Sequence, residues 1–600
     1  MFRVFIQGHL KRRGQVWYSR FMNRIFGNNW IKAVAVNIII LVCVLICTDL
    51  AYETNDDYVM SLRMVDGYPY FTFLNYFFAK AVIGIQSFMP GWNAFVITQI
   101  ALSFVAFTFF AKIVFDSVDR TGANRWIKLV AVFGIAAFSI DHYCAVQFTK
   151  TAVLLLVVGS IIITDTLIRK RGAGYLICGF FLLYAGACLR FTHMLVAVGF
   201  TGIFLLVWVI MNRSSLKAGG YFRKGRVAIY IVTVLLLLGT IGVNGASAAA
   251  NNSTKELAEY WEYDIYRTYV TDFPVYASYE ENAEAYEAAG ISENDLYLMK
   301  NWYIDYDGAA SIENLKTIYS IYEGTDSAKR SFSAAVKAFV RETIGNVAGP
   351  NKRGMHIIML VLLGLAALLA YRPKYAWYVI LVALFTIALY VYLYYIGRPA
   401  YRATYAADAG ATLWLLYYLS GAMARPEKET AAFGLLAKPV FAVISIILAV
   451  VFLAGMLPAY NSYQSLKASN EGSLMSEEMT SFISEHPDNL YVYGRGQKGT
   501  SKFFATPSKM PADGDQSNAI GFGSWGSNSP YILDKIGEFG VRNVFGDTVN
   551  NPTIFVFEEG NKVRLEEYLN KWYGEYEGHI VLEPAGTHAG HEMWQVKRLP

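Results

Sequence analysis

The sequence predicts a polytopic α-helical membrane protein of about 11 transmembrane helices, followed by a C-terminal extracytoplasmic α/β domain. Composition is the first observation behind this. The 600 residues are 55% hydrophobic and only 16% charged, where a soluble domain carries roughly 25% charged residues. Distribution is the second. Long charge-free stretches, of the roughly 20 residues that cross the hydrocarbon core as a helix, alternate with short clusters of Lys and Arg. The third is a change of pattern after residue 458. There Leu490–Tyr493 and Thr553–Phe557 read as strands, and Ile532–Phe539 and Lys562–Trp572 as amphipathic helices.

The spans fall at roughly 31–49, 93–115, 127–146, 149–168, 174–189, 192–211, 227–245, 355–371, 375–396, 404–422 and 438–457. The basic N-terminus holds Lys11, Arg12, Arg13, Arg20 and Arg24. No A-x-A-like site follows the first apolar run, so it reads as a retained helix rather than a cleaved signal. Loop charge sets the orientation. With the N-terminus cytoplasmic, the inner loops hold Arg120, Arg125 and Lys128, then Arg169, Lys170 and Arg171, then Arg213, Lys217, Arg223, Lys224 and Arg226. Arg372 and Lys374 follow, and then Arg425, Lys428 and Lys438. The apolar stretch 72–89 would break this agreement as a span, so it reads as a helix lying at the outer interface or dipping into it. Aromatic residues make up 16% of the chain and suit that interface.

Four parts result. Residues 1–245 form an N-terminal transmembrane module whose first outer loop, 50–92, is acidic. Residues 246–353 form a large extracytoplasmic loop, 354–457 the remaining transmembrane helices, and 458–600 an extracytoplasmic α/β domain. The implied location is the cell membrane. A net charge of +5 argues against nucleic acid as a partner. The five cysteines all lie in apolar stretches, which excludes a disulfide framework in the polar segments. There is no Walker loop, no H-E-x-x-H and no G-x-S-x-G. Nucleotide-driven transport therefore has no support. The spans also lack the paired broken helices of an inverted-repeat transporter.

The first outer loop contains Asp56-Asp57 a few residues beyond a membrane helix. A carboxylate at a low-dielectric surface, with a like charge beside it, has its pKa raised toward the range of a general base. The plainer reading is a solvated loop that caps the next helix. Any divalent cation would sit on the same two residues, and no other cofactor is suggested. Asp57, nearer the interfacial helix, is the stronger candidate for the base. Lys150, Arg190, Arg398 and Arg402 stand at outer helix ends, where cations are otherwise sparse. Charge at the edge of hydrocarbon is costly and faces a partner. A guanidinium matches phosphate oxygens as a planar fork, so the cluster suits a lipid phosphate or diphosphate. Snorkelling to headgroups is the alternative. Tyr269, Asp272 and Trp302 in the large loop are candidates for a sugar, whose apolar C–H faces stack on aromatic rings, although aromatics near a membrane also serve as interface anchors. His588, His591 and Glu592 form a weak candidate zinc set.

This layout resembles the GT-C class of glycosyltransferases and, within it, bacterial membrane proteins of the same plan. The residues that carry the resemblance are Asn55-Asp-Asp-Tyr-Val-Met-Ser61, Asp272-Phe-Pro274 and Gly397-Arg398-Pro399. The resemblance implies a seven-helix module, an acidic first outer loop with interfacial helices, and a variable C-terminal part. It implies inverting transfer of a sugar from a polyprenyl-phosphate donor to a cell-surface glycan or glycolipid acceptor. Asp56 or Asp57 would take the acceptor proton, and the four cations would hold the lipid phosphate. The chain departs from two subgroups. The W-W-D-Y-G signature of oligosaccharyltransferases is absent, and the Asp-Glu pair and His-Pro-Pro of protein O-mannosyltransferases are replaced by Asp-Asp and Tyr68-Pro69-Tyr70. The rival readings are a non-enzymatic protein that binds or translocates lipid-linked polysaccharide, and a polysaccharide polymerase.

Overall fold

The computed structural model describes residues 28–218, 224–273, 275–325, 330–349, 351–423, 434–494, 506–511, 518–524, 526–574 and 578–600. The basic N-terminus, Arg223, Pro274, Arg425 and Lys428 lie outside the described residues.

Among the described residues, eight helices are long and apolar enough to cross a membrane. They are Asn29–Cys47, Ala94–Thr121, Phe148–Arg169, Phe191–Arg213, Arg226–Asn251, Lys352–Ala370, Pro373–Tyr395 and Val440–Glu471. The other three predicted spans are helices of 17 residues each: Ile127–Tyr143, Ala173–Leu189 and Tyr401–Tyr417. At 1.5 Å per residue these are about 25 Å long, a little under the roughly 30 Å of a hydrocarbon core. The 72–89 stretch holds only Tyr76–Gln86, 11 residues. That is about 16 Å, too short to cross. Two helices outrun their predicted ends: Lys224–Asn251, and Val440–Glu471 with Pro458 inside it.

The helices start where a side chain can satisfy free backbone N–H groups. Asn28 accepts from Trp30 N–H, Asn93 from Val96 N–H, and Gln147 from Lys150 N–H. Phe148–Arg169 is the hub, with 89% of its apolar window buried; Arg226–Asn251, with 11%, is the edge. The hub meets Ala173–Leu189 through glycines. A Cβ on Gly159 would stand 2.7 Å from the Gly179 carbonyl oxygen, and one on Gly186 would stand 2.8 Å from that of Ala152. Such close backbone approach gives dispersion contact where lipid offers no hydrophobic drive.

Two short strands fix one end of the bundle. Ala51–Tyr52 (β1) pairs in parallel with Ala145–Val146 (β2). The ends of Asn29–Cys47 and Ile127–Tyr143 therefore meet. At the same end lies a five-stranded sheet of Leu490–Tyr493 (β3), Ala519–Gly521 (β4), Ile554–Phe557 (β5), His579–His588 (β6) and His591–Leu599 (β7). Its order is β4-β3-β5-β7-β6. β3 runs parallel to β4 and β5, while β7 is antiparallel to β5 and β6. Helices Pro530–Gly537 and Lys562–Tyr573 stand close to their predicted positions.

The segments 246–353 and 458–600, divided in the sequence, share one core. Tyr263, Tyr286, Leu296 and Ile318 from the first pack with Leu490, Val556, Leu565 and Trp594 from the second. Neither segment alone shows this, because each contributes one apolar face. A short strap from the second also reaches the bundle. Asn93 N–H donates to the Ser508 carbonyl at 3.0 Å. Met510 packs with Tyr52, Tyr58, Val96 and Val146.

Candidate functional site

Asp56 and Asp57 lie in the first turn of the Asn55–Val65 helix, not in an extended loop. The positive end of the helix dipole favours acids there. Successive helical residues diverge by about 100°, and the two carboxylates part accordingly. Asp57 is fully buried. Its Oδ1 accepts from Gln99 Nε2 and from Phe148 N–H, both at 3.0 Å. Among the described residues its Oδ2 has no partner. Burial pushes its carboxyl up to about 8, with the Asp56 charge adding to this and the Gln99 hydrogen bond opposing it. Asp56 instead keeps 17% of its side chain exposed and lies 3.9 Å from Arg402. A general base must reach the proton it removes. Asp57, favoured from the sequence, is turned inward, so the weight moves to Asp56.

Three of the four predicted cations gather around Asp56. Arg190 caps the end of Ala173–Leu189, and its guanidinium lies over Phe73 at 4.9 Å and Phe148 at 5.6 Å. Burial pulls Arg190 down to about 10, and the charges of Arg402 and Arg398 pull the same way against Asp56. Arg398 lies over Phe273 at 4.1 Å and is lowered by burial, with Asp272 opposing. Among the described residues, Arg402–Asp56 is the only ion pair within 4.0 Å that any of the three arginines makes. Like charges held together in a partly apolar place repel. The arrangement is short of negative charge, and an anion would supply it.

Lys150 is placed differently. Its Nζ donates to Asp141 at 2.6 Å, to the Ala145 carbonyl at 2.9 Å and to Glu53. An ammonium has three donors, so none remains for the lipid phosphate expected from the sequence. Lys352 also reaches Asp141, at 2.5 Å. This buried network ties the acidic loop to Ile127–Tyr143 and to the start of Lys352–Ala370.

Asp272 stands 3.9 Å from Arg267 and is raised by burial, with Arg267 and Arg398 opposing. Tyr269 stacks on Tyr319, with centroids 4.7 Å apart, and touches Phe273 at 6.4 Å, which puts it behind Arg398. Trp302 has φ +64° and lies under the Arg267 guanidinium at 5.5 Å. Both rings are partly buried against protein, so neither is an open sugar platform.

Among the described residues, no group of three His, Cys, Asp or Glu side chains converges on the acidic pair. The weak zinc set fails for the same reason. His588 stacks on Phe482 at 3.7 Å and His591 bonds Glu559 at 3.2 Å.

Sequence reasoning missed Glu53, Gln99, Asp141, Arg267 and Lys352. Lys352 had the same signal as Lys150, a cation at the start of an apolar run. Gln99 and Asp141 had none, since a lone polar residue in a span does not say what it faces.

No protein-family model matches the chain, and neither does any curated protein or solved structure.

The inward Asp57 sets a pH dependence. Its carboxyl titrates at about 8 in the folded chain and near 3.8 when unfolded. Between these values the folded state holds the extra proton, so stability falls as pH rises from about 4 to about 8 and levels off above that. Asn resembles the protonated acid. We expect Asp57→Asn to flatten this loss when the thermal midpoint in detergent is followed from pH 5 to pH 9. An unchanged slope would place the titration elsewhere.

Proposed function

We propose that the chain transfers a sugar from a polyprenyl-phosphate donor to a glycan or glycolipid acceptor, in the manner of GT-C glycosyltransferases. The observation that carries this is the meeting of Arg190, Arg398 and Arg402 with Asp56, a part-exposed carboxylate, at the sheet-bearing end of an apolar bundle. A lipid-linked phosphate anchored in the bilayer sits at that height. Asp56 takes the proton of the acceptor hydroxyl. The acceptor oxygen attacks the anomeric carbon, and the bond from that carbon to the phosphate oxygen breaks. Its electron pair stays on the phosphate, where the arginines stabilise it. The products are an inverted glycoside and the polyprenyl phosphate. Asp57 holds the helix start rather than touching substrate.

A protein that only binds or moves lipid-linked polysaccharide has no need of a carboxylate beside its phosphate site. The 3.9 Å approach of Asp56 to Arg402 favours catalysis over that reading. Incubation of the purified chain with a panel of polyprenyl-phosphate sugars tests it. Donor consumption that depends on an acceptor is expected, and binding without consumption would favour the non-enzymatic reading.

The reading places the sheet-bearing end outside the cell. On this reading the three 17-residue helices also cross, which would make eleven passes with the N-terminus inside. Ser61 is buried and unsuited to labelling, whereas Ser278 and Ala173 are exposed. Ser278→Cys is expected to react with an impermeant thiol reagent in intact cells, and Ala173→Cys to react only after lysis. The reverse pattern would invert the topology.

A further inference from the structure

We infer a second carbohydrate site in the sheet-bearing domain, one that takes a single neutral sugar unit away from the arginine cluster. A cavity of about 350 Å³ opens between the two segments that share the domain core, lined by Tyr306, Asp307, Leu533, Gly537, Val541 and Arg542. Ligand cavities run from about 300 to 1,000 Å³, so this one suits a monosaccharide unit rather than a lipid or a long chain.

Its wall is built in advance. Asp305, the neighbour of Tyr306, is buried and accepts from Asn543 Nδ2 at 2.8 Å, Tyr568 OH at 2.8 Å and Tyr573 OH at 2.7 Å. Asn543 Nδ2 also reaches Asp307, at 3.2 Å. The 305–307 turn is thereby tied to the Val541–Asn543 turn, and the cavity does not depend on a ligand to form. Order in the empty site lowers the entropy a ligand must give up.

The lining chooses the ligand. Tyr306 and Leu533, both part-exposed, offer apolar surface to the C–H faces of a pyranose. Asp307 brings acceptors and Arg542 brings donors, and both side chains are exposed. The two charges cancel. An anion would have to meet Asp307 and a cation Arg542, whereas a polyol satisfies both with its hydroxyls. Among the described residues the Tyr306 hydroxyl is buried without a partner, one polar group left unmatched beside the cavity. The site lies in the polar domain, away from the apolar helices, where a growing glycan rather than its lipid anchor is within reach.

The test is binding, which needs no transfer and so separates this site from the proposed function. Full-length protein in nanodiscs is mixed with free hexoses, 6-deoxyhexoses and N-acetylhexosamines at millimolar concentration, with glycine and alanine as zwitterionic controls. Saturation-transfer NMR reports contact. At least one sugar and neither amino acid is expected to show transfer. Arg542→Ala and Asp307→Asn, both exposed and expected to fold, should each weaken binding at least tenfold, while Lys255→Ala, in an exposed surface pair, leaves it unchanged. Absence of binding across the panel, binding that survives both substitutions, or binding of the amino acids instead would each overturn the site.

Discussion

Asp56→Asn is expected to lower sugar transfer by about 10²–10⁴-fold, the usual contribution of a positioned general base. The substitution keeps size and hydrogen bonding and removes the basicity. Asp56 is part-exposed and, among the described residues, its one ion pair is the 3.9 Å contact with Arg402, so folding and membrane insertion should survive. Asp57→Asn is the paired control. Asp57 is fully buried, and among the described residues its carboxylate accepts hydrogen bonds from Gln99 and Phe148. It should leave most of the rate and act instead on the loss of stability between about pH 4 and about pH 8. Rates measured under donor saturation for both variants separate the two roles. Loss of rate in Asp57→Asn with a normal rate in Asp56→Asn would reverse the assignment.

Lys150→Met should give the largest loss of stability. Lys150 and Asp141 are both fully buried, and Glu53 is 18% exposed. Removing one partner of a buried ion pair strands the other and costs about 3–5 kcal/mol. Asp141 keeps Lys352 in the variant, so Glu53 is the stranded charge. Lys150→Met with Glu53→Gln removes that charge and should recover most of the loss. Lys255→Ala breaks an exposed pair whose side chains are 83% and 64% accessible, and a surface pair contributes only about 0–1 kcal/mol. Thermal midpoints of the four proteins in one detergent decide the matter. Equal loss in the single and double variants would show that Lys150 acts through packing and not through Glu53.

The apolar spans were legible because a bilayer demands one feature, a run of about 20 apolar residues in helical form. The strands Leu490–Tyr493 and Ile554–Phe557 were legible through their β-branched and aromatic runs bounded by turns. The shared core of the two polar segments was not, since Tyr263 and Leu490 are distant in sequence and nothing local pairs them. In the site, Arg190, Arg398 and Arg402 were readable as charges where charge is costly. The same rule picked Lys150 without revealing that Asp141 and Glu53 consume it, because a cation's partners are a tertiary fact. The choice between Asp56 and Asp57 turned on helix geometry. An extended loop would have pointed them to opposite sides, and the first turn of a helix sends one inward and one toward the arginines.

The most direct test of the central claim is the binding of polyprenyl monophosphate, the product left in the site, to the full chain in nanodiscs by native mass spectrometry. Arg190→Ala with Arg398→Ala removes two guanidinium groups that make no ion pair of their own among the described residues. The account predicts that wild type holds the lipid and that the double variant binds it at least tenfold more weakly, with Lys150→Met plus Glu53→Gln close to wild type. Equal retention by wild type and the double arginine variant would contradict it.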